Sequence, residues 1–284
     1  TYYQRALAIF QDIGNQQGVG NCLNNLGNVV GSLGDYTLAS EYLAQALAIK
    51  EEIGERWGVS LCLNNLGVLT YVLGDYDTSR NYFMQALAIC REIDDREGEA
   101  RSLASLGEAV MIAGQYAAAG DYLQQALVTA QKIGSREVEG VVLNTLGALT
   151  LFQHQFPEAR GHYRQAITIH TELEQPHYLV EDHAGMAQVM LELGNLERAR
   201  GYARQVMAYL QENPTLEGAE NPMRAFRFTR QVLTALAHPQ ADDVLARAVQ
   251  VIQAQVENIS DPGGRQMYLA QPHHRVLWTA WKVQ

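Results

Sequence analysis

Between residues 17 and 56, small and apolar side chains fall at spacings of three and four: Val19, Leu23, Leu26, Gly27, Val30 and Leu33, then Ala39, Leu43, Ala46, Leu47, Ile49 and Ile53. Two stripes of this period predict two amphipathic helices. Gly34 and Gly54 follow the stripes where a C-terminal glycine stops a helix, and Asp35-Tyr36 forms the turn between them. Each helix has about 17 residues, roughly 25 Å at 1.5 Å per residue. A turn this short forces the two to pack antiparallel.

The same pattern returns at a 40-residue step. Gly34-Asp35-Tyr36 is followed by Gly74-Asp75-Tyr76, Gly114-Gln115-Tyr116 and the weaker His154-Gln155-Phe156 and Gly194-Asn195-Leu196. Upstream, Leu26-Gly27 recurs as Leu66-Gly67, Leu106-Gly107 and Leu146-Gly147 and degrades to Met186-Ala187. Self-similarity of this length means stacked supersecondary units, here an elongated all-α array. Gly27, Gly67, Gly107, Gly147 and Ala187 are expected to face Ala39, Ser79, Ala119, Ala159 and Ala199, so that the paired helices approach closely. The array spans 1–213, with a half repeat at 1–14 and full repeats at 17–56, 57–96, 97–136, 137–176 and 177–213.

Leu63, Leu66, Gly67, Gly74, Tyr76, Ser79, Phe83 and Ala86 of the second full repeat resemble the signature of the tetratricopeptide repeat. A leucine replaces the family's tryptophan, and the unit is 40 residues rather than 34, without a helix-ending proline. The resemblance implies a right-handed α-α superhelix of about five and a half pairs whose first helices line a concave groove. Carried over slot by slot, the position two before the Leu-Gly leucine holds Asn24, Asn64, Ala104, Asn144 and Ala184. Two after it stand Asn28, Val68, Glu108, Ala148 and Gln188, and five after it Gly31, Tyr71, Met111, Leu151 and Leu191. Asparagine amides both donate and accept, which suits an extended peptide or a sugar; the alternative is that they bond a neighbouring helix. Met111, Ile112, Leu151 and Phe152 make the middle of the groove apolar. Of the cations that family members use to clamp acidic tails, this groove keeps Arg101 alone, which counts against an acidic C-terminal tail as the ligand.

The ends depart from the array. Residues 1–14 match only the second helix of a unit, which leaves Tyr3, Ala6 and Leu7 without a partner and suggests a chain cut from a longer protein. A dimer contact over that face is the alternative. All seven prolines lie at or beyond Pro157. Residues 214–284 read as a divergent helix pair and two short helices, started at Pro262 and Pro272, whose apolar face is expected to cap the stack. The stretch from Ile259 through Arg265, Tyr268-Leu269, Pro272-His273 and Arg275 to Trp281 resembles the end of tetratricopeptide sensor regions in bacterial STAND-type signalling ATPases. That resemblance implies an upstream nucleotide switch in the same polypeptide and a sensing role for this chain.

Composition narrows the chemistry. Residues 1–213 hold 14 Lys/Arg against 25 Asp/Glu, while 214–284 hold 7 against 6. An acidic array repels phosphate backbones, so nucleic acid is not an expected partner. No apolar run reaches the ~18 residues of a bilayer span, and a cytoplasmic location is expected. The three cysteines lack CxxC spacing and read as buried thiols of a reducing compartment. GxxxxGK[ST], GxSxG and HExxH motifs are absent, so no catalysis, cofactor or metal is expected. Histidines 154, 162, 170, 177 and 183 cluster in the fourth and fifth repeats and read as packing replacements rather than ligands. Arg224, Arg227 and Arg230, at a spacing of three, read as a solvated helix face, with a basic docking edge as the alternative. The expected function is a non-catalytic module that binds a protein, peptide or small ligand in its groove, as sensing arm or as plain scaffold.

Overall fold

The structure, a computed structural model, describes residues 2–283. Thr1, the first residue of the expected half repeat, and Gln284 lie outside the described residues. All regular structure among the described residues is helical. Helix α1 (Tyr2–Asp12) has no preceding partner but packs on α2, where Leu7, expected to be uncovered, joins Phe10 against Val19 and Leu23, and five pairs follow: α2 (Gln16–Ser32) with α3 (Tyr36–Glu52), α4 (Arg56–Leu73) with α5 (Tyr76–Glu92), α6 (Arg96–Ile112) with α7 (Tyr116–Ile133), α8 (Arg136–Phe152) with α9 (Phe156–Glu172), and α10 (Pro176–Glu192) with α11 (Leu196–Glu212). The last four are α12 (Pro222–Ala235), α13 (Ala241–Asn258), α14 (Pro262–Ala270) and α15 (Pro272–Lys282).

Each turn in the array is made by two or three residues. At the end of α2, the Gly34 N–H donates to Gly31 O and the Asp35 N–H to Val30 O, a Schellman motif closed by Gly34 at φ 90°. Asp35 is at once the last residue of that motif and the N-cap of α3, its carboxylate accepting from the Leu38 N–H at 3.1 Å. The two backbone bonds recur every 20 residues, and the residue at the glycine slot keeps a positive φ even where glycine is lost: Asp94 (59°), His154 (60°) and Glu174 (54°). A side chain in this region costs roughly 1–2 kcal/mol, part of which glycine gives back through its freedom in the unfolded chain. Glu174→Gly is therefore expected to raise stability by about 1 kcal/mol, measured by urea unfolding; a loss of stability would show that the Glu174 side chain contributes to the turn.

Within the pairs, the Leu-Gly glycines do come close to the second helix, but their nearest neighbour is the side chain four beyond the expected alanine. A β-carbon on Gly67 would lie 2.5 Å from the Phe83 ring, and one on Gly107 would lie 2.6 Å from Leu123 Cγ. Ser79, alone among alanines in its slot, satisfies its hydroxyl by donating to Gly67 O at 2.9 Å. In the fourth pair Tyr163 fills the slot of Leu43, Phe83 and Leu123 and is 1% exposed. It fits because Gly147 on one side and Gly185 of α10 on the other both lack the β-carbon that its ring would strike. Dense packing makes such compensation necessary.

The C-terminal helices do not simply cap the end of the stack, as the sequence pattern suggested. Helices α12 and α13 continue the pairing beyond α11, but the segment then crosses the concave face and returns to the first repeats. Tyr36 of α3 donates its hydroxyl hydrogen to Gln255 Oε1 of α13 at 2.7 Å. Gln271 Nε2 donates to Val72 O of α4 at 2.7 Å. One apolar cluster accordingly runs from Leu43, Leu66 and Leu69 through Tyr268 to Val249 and Ile252. The driving force is ordinary: the inner faces of α2 and α4 carry apolar side chains, and an amphipathic tail long enough to reach them removes both from water.

Candidate functional site

The tail leaves a cavity of about 480 Å³ between the first helices of the early repeats and the C-terminal segment. Its array wall comes from α2, α4 and α6, with Asn28, Asn65, Val68, Tyr71, Val72 and Ile112. Its tail wall comes from 219–224, α13 and the α14–α15 junction, with Glu220, Arg224, Gln255, Tyr268, Gln271, His273 and His274. Tyr71 and Tyr76 meet edge to face at 5.4 Å on the same wall. A volume in this range, apolar in the main with a few polar groups, is that of a small-ligand or short-peptide site.

Of the residues expected in the groove, Asn28, Gly31, Val68, Tyr71 and Ile112 line the cavity. The other asparagines tie helices together. Asn24 is buried and accepts from Asn65 Nδ2 at 2.8 Å, and Asn64 Nδ2 lies 3.4 Å from Ser102 Oγ. Asn144 Nδ2 donates to Asp182 Oδ1 at 2.7 Å. Met111 turns into the core with Ala109, Val110 and Leu149. Gln188 is buried and donates to Glu192. Arg101 pairs at the surface with Glu97 and Glu137. Phe152 is covered by the tail, stacked on His273 with ring centroids 6.1 Å apart and beside Phe228.

The arginine row needs a correction, because the concave face is not open to solvent where α12 lies. Arg224 is 4% exposed. Its guanidinium donates to Asn144 Oδ1 at 2.5 Å and reaches Glu108 Oε1 and Glu181 Oε2, each at 3.4 Å. Arg227 Nη1 sits 3.2 Å from His273 Nδ1. Glu181 Oε1 accepts from the backbone N–H of Glu220 at 2.6 Å and of Asn221 at 3.1 Å, just ahead of α12. The network continues through Asn144 to Asp182, whose Oδ2 is 2.6 Å from His170 Nδ1. Glu108, expected as a groove residue, is thus held by Arg224. Five helices, α6, α8, α9, α10 and α12, share this one polar chain.

Burial sets the charge states here. It pushes the Glu181 carboxyl up to about 7 against the pull of Arg224 and two backbone N–H groups. Glu220 goes up to about 8, through desolvation first and then through Glu181 and Glu108. Glu220 is itself exposed at the edge of the cleft, so water screens this upward push more than it does at the buried Glu181. Burial lowers His274 to about 4 and His273 well below its ordinary value, so both are neutral at pH 7.

The signals for this site were partly available. Asn28 and Tyr71 follow from repeat position, whereas Glu220, Gln255, Gln271 and His274 sit outside the periodic pattern and only the return of the tail brings them in. Among the described residues no three His, Cys, Asp or Glu side chains are grouped as metal ligands, and no helix is long and apolar enough to cross a membrane.

No curated protein matches the chain. Among solved structures it is similar to BtubC from P. vanneervenii, at 18% identity over 75% of this chain and 90% of that one, with a TM-score of 0.63. A Rap protein complexed with competence and sporulation factor matches at 15% identity over 94% and 75%, with a TM-score of 0.63. A STAND protein with a tetratricopeptide repeat sensor from Pyrococcus horikoshii matches at 17% identity over 99% of this chain and 41% of that one, with a TM-score of 0.63. At these identities the likeness is one of fold. That fold is typically a non-catalytic binding module, and repeats of this kind support a protein-binding scaffold. The tetratricopeptide repeat model matches residues 1–52, 59–132 and 104–172, more than half of the chain, and with the stacked helix pairs described above this chain belongs to the tetratricopeptide repeat family.

Proposed function

We propose that this chain is the sensing arm of a larger signalling ATPase and that it recognises a peptide or small ligand in the cavity between its first repeats and its own tail. The observation that carries the reading is the cavity itself, whose two walls come from opposite ends of the chain. A ligand there contacts α2, α4 and the 219–224 segment together and so stabilises the closed arrangement relative to one in which the tail has lifted. That differential contact is what a sensor requires. The fold likeness to a STAND protein with a tetratricopeptide repeat sensor, over 99% of this chain, supports the same reading. Asn28 and Tyr71 are the groove positions proposed to touch the ligand; upstream domains of the same polypeptide are the proposed recipients of the signal.

The cavity is tested with Val68→Trp. Val68 is half exposed and lines the space, so an indole fills the space without disturbing the core. Pools of tri- and tetrapeptides and of simple sugars are screened by thermal shift. The expected result is at least one compound that raises the wild-type midpoint and leaves Val68→Trp unmoved, since ligand at a hundred times its Kd stabilises by about 2.7 kcal/mol. No shift in the wild type, or equal shifts in both, overturns the cavity as the site. A coding sequence upstream of Thr1 without a phosphate-loop motif removes the ATPase part.

The scaffold reading draws on a different surface. Trp57, 52% exposed, and Leu61 lie along α4, and Leu61 occupies the repeat slot of Glu181, the residue that grips the tail. Here no tail covers the slot, which leaves an apolar edge for a partner protein.

A further inference from the structure

We infer that the cavity is a receptor for a cationic group, an ammonium or guanidinium carried on an apolar body, with Glu220 as its counter-ion. This deepens the cavity reading above and rests on it.

The charges around the space are unbalanced. Glu108 of α6, Glu181 of α10 and Glu220 surround one guanidinium, that of Arg224 on α12. That guanidinium is already directed to Glu108, Glu181 and the Asn144 amide. Glu220 Oε1 accepts one long hydrogen bond, from the Tyr178 hydroxyl of α10 at 3.4 Å. A carboxylate offers about four lone-pair sites, so most of its accepting capacity is left open at the edge of the cleft that it lines. The remaining titratable groups on the walls supply no positive charge: Tyr71 of α4 stays protonated through burial, and His273 and His274 of α15 are neutral.

The other side chains fit the rest of such a ligand. Tyr71 and Tyr76 present aromatic rings to the space, a surface that attracts a cation by its quadrupole. Val68, Val72, Ile112 and Met223 provide contact for an apolar body, and Asn28, Asn65 and Gln255 can pair with amides. An anionic ligand would find no unengaged cation on these walls, since Arg224 is already directed to Glu108, Glu181 and Asn144, and is disfavoured.

Proton linkage gives the inference its own signature. A carboxyl pushed up by the protein around it and by like charge is partly protonated near neutral pH, and a bound cation favours its ionised form. Binding therefore releases a proton below about pH 8, and affinity rises from pH 6 to pH 8. Glu181 titrates nearby, so the contribution of Glu220 is isolated by Glu220→Gln.

The test is calorimetry on the full chain with N-acetyl-Leu-Lys-Leu-amide, its norleucine isostere and tyramine as probes, in buffers of different ionisation enthalpy. The lysine peptide is expected to bind at least tenfold more tightly than the norleucine peptide, with proton release, and Glu220→Gln should abolish both the preference and the release while keeping the thermal midpoint. Tighter binding of tyramine than of the lysine peptide assigns the site to free amines; the reverse assigns it to peptides. Equal affinities of the lysine and norleucine peptides, both lost in Val68→Trp, overturn the cationic specificity and leave the cavity reading standing. Binding that Val68→Trp does not weaken, or no heat from any probe, overturns the inference together with its site.

Discussion

Replacement of Arg224 by methionine is expected to destabilise the chain by about 3–5 kcal/mol, because it strips the one buried cation from a site that holds Glu108 and Glu181 and leaves Asn144 Oδ1 without its donor. Methionine keeps most of the apolar stem, so loss of packing is a minor part. The carboxylates are expected to respond by binding protons. Glu181 already sits near pH 7, and without Arg224 it moves higher, so the destabilisation should be smaller at pH 6 than at pH 8. Arg224→Lys retains the charge but not the planar fork that reaches three partners, and an intermediate loss is expected. Urea unfolding followed by circular dichroism at the two pH values measures all of this. A loss below about 1 kcal/mol, independent of pH, would mean that Arg224 behaves as an exposed arginine, contrary to its burial.

Leu66→Asp is expected to cost at least 4–5 kcal/mol. Leu66 is buried in the cluster that joins the first repeats to Tyr268 and the tail, so the substitution removes an apolar side chain and places an unpaired carboxylate in its cavity. Five residues earlier on the same helix, Leu61→Asp should stay within about 0.5 kcal/mol, since Leu61 is exposed. Because repeat arrays couple mainly to nearest neighbours, the loss at Leu66 should spread unevenly. Hydrogen exchange is expected to report loosening of α2 to α5 and of α14, with α10 and α11 less affected. Equal protection loss along the whole chain, or none in α14, would contradict the closure of the tail onto the first repeats.

Much of the architecture could be read from side-chain spacing. Helix lengths, the turns at Gly34, Gly54 and Gly74, the pairing of neighbours and the lone first helix all follow from periodicity and capping chemistry, which act over a few residues and leave a local mark. The left-handed turn persists at Asp94, His154 and Glu174 because the stacked pairs on either side over-determine it. The contact of Tyr163 with Gly185 leaves no such local mark, because the two lie on different repeats.

The candidate site was legible only in part. Asn24, Asn64 and Asn144 occupy repeat slots that could point along the groove or toward the next helix, and an amide suits either. A rotation of less than one residue's 100° separates the two, which spacing does not resolve. Arg224, Arg227 and Arg230 at i+3 have the look of a solvated face, and nothing local records that another part of the chain supplies the carboxylate and amide partners of Arg224 and the imidazole beside Arg227.

Residue order alone therefore specified an all-helical repeat array with its helices and turns, because each of those depends on neighbours within about 40 residues. Closure of the groove, the burial of Arg224 and the assembly of the cavity from Asn28, Tyr71, Glu220 and Gln255 depend on contacts between residues as far apart as Tyr36 and Gln255. Such contacts carry no period. They arise when an apolar inner face and an amphipathic tail remove each other from water, and that becomes evident only once the chain has folded back on itself.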